Sequence, residues 1–206
     1  KLGIKRNYLD SKKLYDFTFL GLIYEKGIGV KQSYSKSRRY YELSAKENNS
    51  FSLYKLGTFY ENGYDVEQDY LKAKEYYELS AKRNNSNAFN KLGNLYYYGY
   101  GVKQDYFKAK EYYEISSTFN NSESLINLGD LYYYGHGFEQ NYSKAKEYYE
   151  LSAKQNNSNA FIKLGDLYYY GYGVEQNHLR AIEYYELSAN QNNSKAFLKL
   201  GDIYYY

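Results

Sequence analysis

Cysteine, proline, methionine and tryptophan occur nowhere in the 206 residues of this chain. Without cysteine there are no disulfides and no thiolate metal sites, and cysteine usage gives no reading of the redox compartment. Charge of one sign is also scarce: 27 basic against 24 acidic residues leave a formal net charge of +3. That balance is too weak and too scattered for a nucleic-acid footprint. No apolar run approaches the roughly 18 residues that a membrane span needs. The first residue is lysine and the opening KLGIKRN is no secretory signal, so the chain is expected to be a fragment, which leaves open a signal already removed. What the sequence has in abundance is tyrosine, 34 residues of it, so aromatic packing must dominate any core. The wealth of Lys, Asn, Tyr and Ile suggests an AT-rich genome.

The tyrosines recur at a fixed step. A glycine stands at Gly21, Gly57, Gly93, Gly129, Gly165 and Gly201, always 36 residues apart. A Tyr-Tyr pair keeps the same step from Tyr40/Tyr41 to Tyr184/Tyr185. A fixed period in this range without insertions is the signature of a solenoid. Each repeat reads as two helices. In the third, Ala88, Leu92, Leu95 and Tyr96 form an apolar stripe, Gly99 and Gly101 end the first helix, and a second opens at Asp105 with Tyr106, Ala109, Tyr112, Tyr113 and Ser116 facing inward. Second-helix caps recur at Ser33, Asp69, Asp105, Asn141 and Asn177. First-helix caps are expected at Ser50, Ser86, Ser122, Ser158 and Ser194, with Leu14 breaking the column. The expected organisation is one solenoid over 1–206: an irregular segment 1–13, repeats 14–49, 50–85, 86–121, 122–157 and 158–193, and a partial repeat 194–206.

The Gly-x-Gly corner follows a helix, whereas a dinucleotide-binding glycine loop follows a strand; it reads as a turn between helices. The pattern Ala-x-x-x-Leu-Gly-x-x-Tyr-x-x-Gly-x-Gly-Val, then Asp-x-x-Lys-Ala-x-x-Tyr-Tyr, stands at Ala88–Val102 with Asp105–Tyr113 and again from Ala160, with Asn177 for the Asp. It resembles the Sel-one-like repeat (SLR) family over roughly residues 15–206. Departures are Asp65 after Gly63, Ser52 and Ser124 in the Ala position, and Asn in place of the usual glycine after the second helix. The resemblance implies an all-α, right-handed α-solenoid whose members act as adaptors and scaffolds, and it implies no catalysis.

The residues themselves offer little chemistry. His136 and His178 lie in different columns, and a solvent-facing position is expected for both. Glu75/Glu78, Glu111/Glu114, Glu147/Glu150 and Glu183/Glu186 lie among lysines on the second helices and read as a solvated face with weak helical pairing. No metal, cofactor or catalytic residue is expected. Asn48, Asn84, Asn120, Asn156 and Asn192 each open an Asn-Asn-Ser, formally an N-glycosylation acceptor; the plainer reading is a helix exit followed by a cap. Off the stripe, the first helices present columns that include Tyr98, Tyr134 and Tyr170; Asn94, Asp130 and Asp166; and Lys91 and Lys163. On the face expected to be concave, this ladder would bind a partner protein or peptide, with near-equivalent tandem sites. The alternative is a cell-surface or secreted carbohydrate binder that stacks sugars on the same rings. A secreted or surface location is favoured over the cytoplasm, with the compartment otherwise open. Leu200, Ile203 and Tyr204 are expected to leave an uncovered stripe after the last helix, through which the fragment would self-associate unless further repeats follow.

Overall fold

The computed structural model describes residues 17–205, and the side chains of residues 17–203. The irregular segment 1–13, Leu14 and the Tyr206 end of the tyrosine column lie outside the described residues, as does the Tyr204 side chain. Eleven helices and no strand occur among the described residues. They are α1 (through residues 17–26), α2 (Tyr34–Ala45), α3 (Ser50–Asn62), α4 (Tyr70–Ala81), α5 (Ser86–Tyr98), α6 (Tyr106–Thr118), α7 (Ser122–Tyr134), α8 (Tyr142–Lys154), α9 (Ser158–Tyr170), α10 (His178–Ala189) and α11 (Ser194–Tyr205). The fold class is the expected all-α solenoid of helix–turn–helix repeats. The contacts divide the described residues into two compact units, one up to residue 104 and one from residue 105, each built from the same parts. No helix of the described residues is long and apolar enough to cross a membrane.

Local chemistry sets each boundary. The second-helix caps are as expected: Ser33, Asp69, Asp105, Asn141 and Asn177 are extended, and each side chain accepts from the backbone N–H three residues on. The first-helix caps differ from expectation by one residue. In Asn-Asn-Ser, the first Asn takes a left-handed φ of 58–60° at Asn48, Asn84, Asn120, Asn156 and Asn192, a conformation that Asn tolerates better than most residues. The extended cap position then falls on the second Asn. Asn49, Asn85 and Asn121 accept from the N–H of Ser52, Ala88 and Ser124 at 2.9, 3.2 and 3.1 Å, and Asn157 accepts from Asn159 at 3.0 Å. Ser50, Ser86, Ser122 and Ser158 are the first helical residues. The carbonyls of Ser50, Ser122 and Ser158 accept from the buried hydroxyls of Ser80, Ser152 and Ser188 at 2.6–2.9 Å.

The core of each repeat is a tyrosine ring seated on a glycine. Tyr41, Tyr77, Tyr113, Tyr149 and Tyr185, the second of each Tyr-Tyr pair, are at most 1% exposed. A Cβ added at Gly57 would lie 2.5 Å from Cε1 of Tyr77, and Gly21 meets Tyr41 at the same distance. The glycine therefore makes room for a ring of the second helix. The first tyrosine of the pair stacks on the first helix: Tyr40 on Tyr24, Tyr76 on Tyr60, Tyr148 on Tyr132 and Tyr184 on Tyr168, with centroids 5.5–5.9 Å apart. Alanines 73, 109, 145 and 181 are fully buried beside them.

The corner uses its second glycine for a different reason. A Cβ at Gly101 would come 2.7 Å from Cβ of Tyr70, at a φ of +66°. Asp65 replaces this glycine one repeat earlier; it keeps the left-handed φ of 58° and accepts from Arg38 Nε at 3.0 Å. A glutamine closes each corner: Gln32, Gln68, Gln104, Gln140 and Gln176 donate through Nε2 to the carbonyls of Glu25, Glu61, Tyr97, Tyr133 and Tyr169 at 2.7–2.9 Å. These are orphan carbonyls at the end of the first helix.

The second-helix carboxylates form the expected solvated face, with (i, i+4) pairs Arg38–Glu42, Lys74–Glu78, Lys110–Glu114 and Lys146–Glu150. Gly165 faces Tyr185 as Gly57 faces Tyr77, whereas Glu147 is exposed. Gly165→Val should destabilise the protein by about 1–3 kcal/mol, and Glu147→Ala by no more than about 0.5 kcal/mol. Urea denaturation checks both; equal midpoint shifts would mean that the facing of these helices is misassigned.

Candidate functional site

A buried phenol needs a hydrogen-bond partner, and the seated tyrosines find one in a carboxylate of the first helix. Tyr149 donates to Asp130 Oδ1 at 2.6 Å, and Tyr185 to Asp166 Oδ1 at 2.8 Å. The same oxygens accept from the next repeat: Lys163 Nζ reaches Asp130 at 2.8 Å and Lys199 Nζ reaches Asp166 at 2.7 Å. Asp130, Asp166 and Lys163, expected to face a ligand, are thus half-buried and engaged inside the protein.

Repeats one and two build the same network from a different position. Tyr41 donates to Glu25 Oε2 at 2.6 Å and Tyr77 donates to Glu61. Lys55 pairs with Glu25 at 2.8 Å and Lys91 with Glu61 at 2.9 Å. The carboxylate has moved one helical turn, from the residue after the glycine to the fourth residue after it, and the longer Glu replaces Asp. Sequence reasoning missed Glu25 and Glu61. The signal was available: Lys55 and Lys91 lack an acidic residue in the aligned column, where Leu22 and Thr58 stand. In the third repeat both members of the pair are neutral in the sequence, Asn94 and Asn127.

The displacement has a consequence for the surface. The position held by Glu25 and Glu61 becomes Tyr97, Tyr133 and Tyr169 in the later repeats. Each of these packs edge-on against the next residue, Tyr98, Tyr134 or Tyr170, at 4.7–4.9 Å. Each of those heads a stack of three rings. Tyr98 lies on Tyr100 and Tyr100 on Tyr70, at 5.2 and 4.9 Å. Tyr134, His136 and Tyr106 follow at 5.4 and 5.2 Å, and Tyr170, Tyr172 and Tyr142 at 5.4 and 5.0 Å. Lys163 and Lys199 Nζ lie 5.7 and 5.9 Å from the centroids of Tyr134 and Tyr170. Even so buttressed, Tyr98, Tyr134 and Tyr170 remain 56%, 50% and 49% exposed.

His136 is therefore the half-buried middle ring of a stack, a correction to the expected solvent-facing position; His178 is exposed, edge-on to Tyr169 at 4.9 Å. Among the described residues no group of three or more His, Cys, Asp or Glu could hold a metal ion. The five asparagines of the Asn-Asn-Ser corners are all exposed. Near Tyr170 a small cavity of about 70 Å³ is lined by Tyr169, Tyr170, Tyr185, Lys199, Asp202 and Ile203.

Comparison with known families matches the Sel1 repeat at residues 18–49, 50–85, 87–118, 122–157 and 160–193. Among solved structures, a Sel1 repeat protein from Oxalobacter formigenes is similar with a TM-score of 0.86 and 27% identity, over 94% of this chain and 79% of that one. The protective antigen c5321 of uropathogenic Escherichia coli, which displays an SLR fold, gives 0.77 and 30%; 96% of this chain matches 42% of that longer one. The immunity protein Pa5087 of Pseudomonas aeruginosa shares the fold at 20% identity, with a TM-score of 0.66 over 89% of this chain and 68% of that one. No curated protein matches the chain.

Burial, and then the neighbouring carboxylate, push the phenols of Tyr41, Tyr77, Tyr149 and Tyr185 far above their ordinary value. In the unfolded chain the same groups ionise near pH 10. Above that pH the unfolded state binds fewer protons than the folded one, so stability must fall as pH rises. Urea midpoints should hold up to about pH 10 and drop steeply beyond it. Tyr149→Phe should make the alkaline drop shallower; an unchanged slope would show that these phenols ionise in the folded protein.

Proposed function

The chain belongs to the Sel1-repeat family, and we propose that it is a non-enzymatic interaction module that holds a partner protein or peptide on the tyrosine-bearing face of its first helices. Sel1 repeats are in general protein-interaction modules. The observation that carries the proposal is the half-exposure of Tyr98, Tyr134 and Tyr170 at the ends of pre-built ring stacks. Tyrosine offers a large contact area at low entropy cost, and here stacking has already fixed the rings. Asp130 and Asp166 hold Lys163 and Lys199 over the Tyr134 and Tyr170 rings, and Asn94 and Lys91 stand in the same columns in the third repeat. The near-identity of the rungs at Tyr134 and Tyr170 supports near-equivalent docking points, which suits a multivalent scaffold.

Stacked rings and lysine ammoniums already occupy the ring faces, which favours contacts through edges and hydroxyls over the face-on stacking that a sugar requires. Affinity capture with the parent chain and with the Tyr134→Ala/Tyr170→Ala double variant tests the reading. A partner held by the parent should bind the variant about thirtyfold more weakly, the loss of about 2 kcal/mol typical of a hot spot. Glu147→Ala should leave it unaffected. Equal retention by parent and double variant overturns the assignment of the face, and saturable binding of soluble glycans without any protein partner replaces it with a carbohydrate site.

A further inference from the structure

Tyrosine is the most readily oxidised side chain that this protein contains. Cysteine and methionine, the usual sinks for oxidants, are absent, as is tryptophan, while tyrosine occurs 34 times. A tyrosine that loses an electron and its hydroxyl proton becomes a phenoxyl radical, and two such radicals couple fastest where their rings already lie together. Three pairs are held in this way, each between one repeat's second helix and the next repeat's corner. Tyr34 lies on Tyr64, Tyr70 on Tyr100 and Tyr142 on Tyr172, with centroids 4.7, 4.9 and 5.0 Å apart and planes within 22° of parallel. Offset parallel rings at this separation are near van der Waals contact. The corner glycine permits the approach: a Cβ at Gly173 would lie 2.6 Å from Cβ of Tyr142. The corner rings face solvent, with Tyr64, Tyr100 and Tyr172 exposed by 40%, 43% and 37%. Gln32 and Gln68 donate to the hydroxyl oxygens of Tyr34 and Tyr70 at 3.2 and 3.0 Å, so these oxygens serve as acceptors and their own hydrogens can pass to water. The parallel pairs within a repeat, such as Tyr24 with Tyr40 and Tyr60 with Tyr76, are wider, at 5.7 and 5.5 Å.

We infer that Tyr34–Tyr64, Tyr70–Tyr100 and Tyr142–Tyr172 are sites of oxidative cross-linking, where a one-electron oxidant of the haem peroxidase and hydrogen peroxide class joins consecutive repeats covalently. Each ring gives up one electron and its hydroxyl proton. A carbon–carbon bond then forms between ring carbons adjacent to the two oxygen-bearing carbons, and the hydrogen displaced from each restores the hydroxyl. Two ring C–H bonds are exchanged for one C–C bond, and the two electrons and two protons released convert one hydrogen peroxide to two waters. Tyr98 and Tyr170, the exposed outer rings, stack on Tyr100 and Tyr172 at 5.2 and 5.4 Å, so a radical formed on either has a neighbour to pass to. The rung at His136 lacks the second phenol, since Tyr106 stacks there on an imidazole at 5.2 Å. Each cross-link joins residues 30 positions apart and closes a loop as a disulfide would, in a chain that has no cysteine. The reaction does not depend on what the first-helix face binds.

Treatment of the whole chain in dilute solution with a haem peroxidase and limiting hydrogen peroxide tests this, read by dityrosine fluorescence and by mass spectrometry of digested monomer. Cross-linked peptides should pair Tyr34 with Tyr64, Tyr70 with Tyr100 and Tyr142 with Tyr172. Tyr100→Phe, which keeps the ring stack, should delete only the link to Tyr70. The triple variant Tyr64→Phe/Tyr100→Phe/Tyr172→Phe should lose at least about fivefold of the monomer's dityrosine while melting as the untreated parent does. His136→Tyr should add a link to Tyr106. The cross-linked monomer should melt about 5 °C or more above the untreated chain. Undiminished fluorescence in the triple variant overturns the inference, as do links formed chiefly between molecules or within a repeat at Tyr24–Tyr40. Cross-linking at the three pairs with no rise in melting temperature overturns their role as a brace between repeats.

Discussion

A tyrosine ring lying flat against a glycine backbone cannot be buried by packing alone, because its hydroxyl goes in with it. Everything else in the repeat follows from supplying that hydroxyl with an acceptor. For Tyr41, Tyr77, Tyr149 and Tyr185 the acceptor is a carboxylate one or four residues beyond the glycine, and a half-buried carboxylate is costly unless paired. The pairing cation comes from the next repeat: Lys55 to Glu25, Lys91 to Glu61, Lys163 to Asp130 and Lys199 to Asp166. Seat, acceptor and cation are thus drawn from two successive repeats. A one-residue insertion between them would rotate the lysine away from the carboxylate it must reach, which is a physical reason for a step of 36 residues kept without exception.

The network tolerates two designs because a helix offers two positions one turn apart on the same face. With Glu at the far position, as in Glu25 and Glu61, the near position is free for Leu22 or Thr58. With Asp at the near position, as in Asp130 and Asp166, the far position is free for an aromatic ring. Tyr133 and Tyr169 take it, and they brace Tyr134 and Tyr170 edge-on. The surface tyrosines are therefore coupled to the choice of buried acid. An exposed ring at Tyr170 has a rigid support because the carboxylate beneath it moved by one turn.

How much of this was legible in sequence depended on the range of each interaction. The period, the corners and the second-helix caps are local signals, and Ser33, Asp69, Asp105, Asn141 and Asn177 could be read from their neighbours. The first-helix caps were displaced by one residue because Asn-Asn-Ser holds three good capping residues in a row. Only the backbone angle of the first Asn decides which of them is extended. Glu25 and Glu61 were missed because alignment by column assumes that a role keeps its position, and here it shifts as the side chain lengthens. The stacks joining Tyr70 to Tyr100 and Tyr142 to Tyr172 escaped because they run from one repeat's second helix to the next repeat's corner. No local periodicity marks such a pair, so the tyrosines they hold were read as a bare ladder.

The distribution of tyrosine against phenylalanine separates the residues that hold the repeat together from those that form its surface. The seat is Tyr in all five repeats, at Tyr41, Tyr77, Tyr113, Tyr149 and Tyr185, although the chain also uses ten phenylalanines. A phenylalanine at Tyr41, Tyr77, Tyr149 or Tyr185 would fill the same space against the glycine but leave the carboxylate and its lysine without the phenol. The middle ring of the outer stack, by contrast, is Tyr100, then His136, then Tyr172. A flat ring of any chemistry satisfies that position, since stacking asks only for a π face. Cohesion therefore constrains the hydroxyl at the seat, while the outer stack is free to change its chemistry without unsettling the fold. That freedom lets a repeat protein with an unvarying core give successive rungs different binding surfaces.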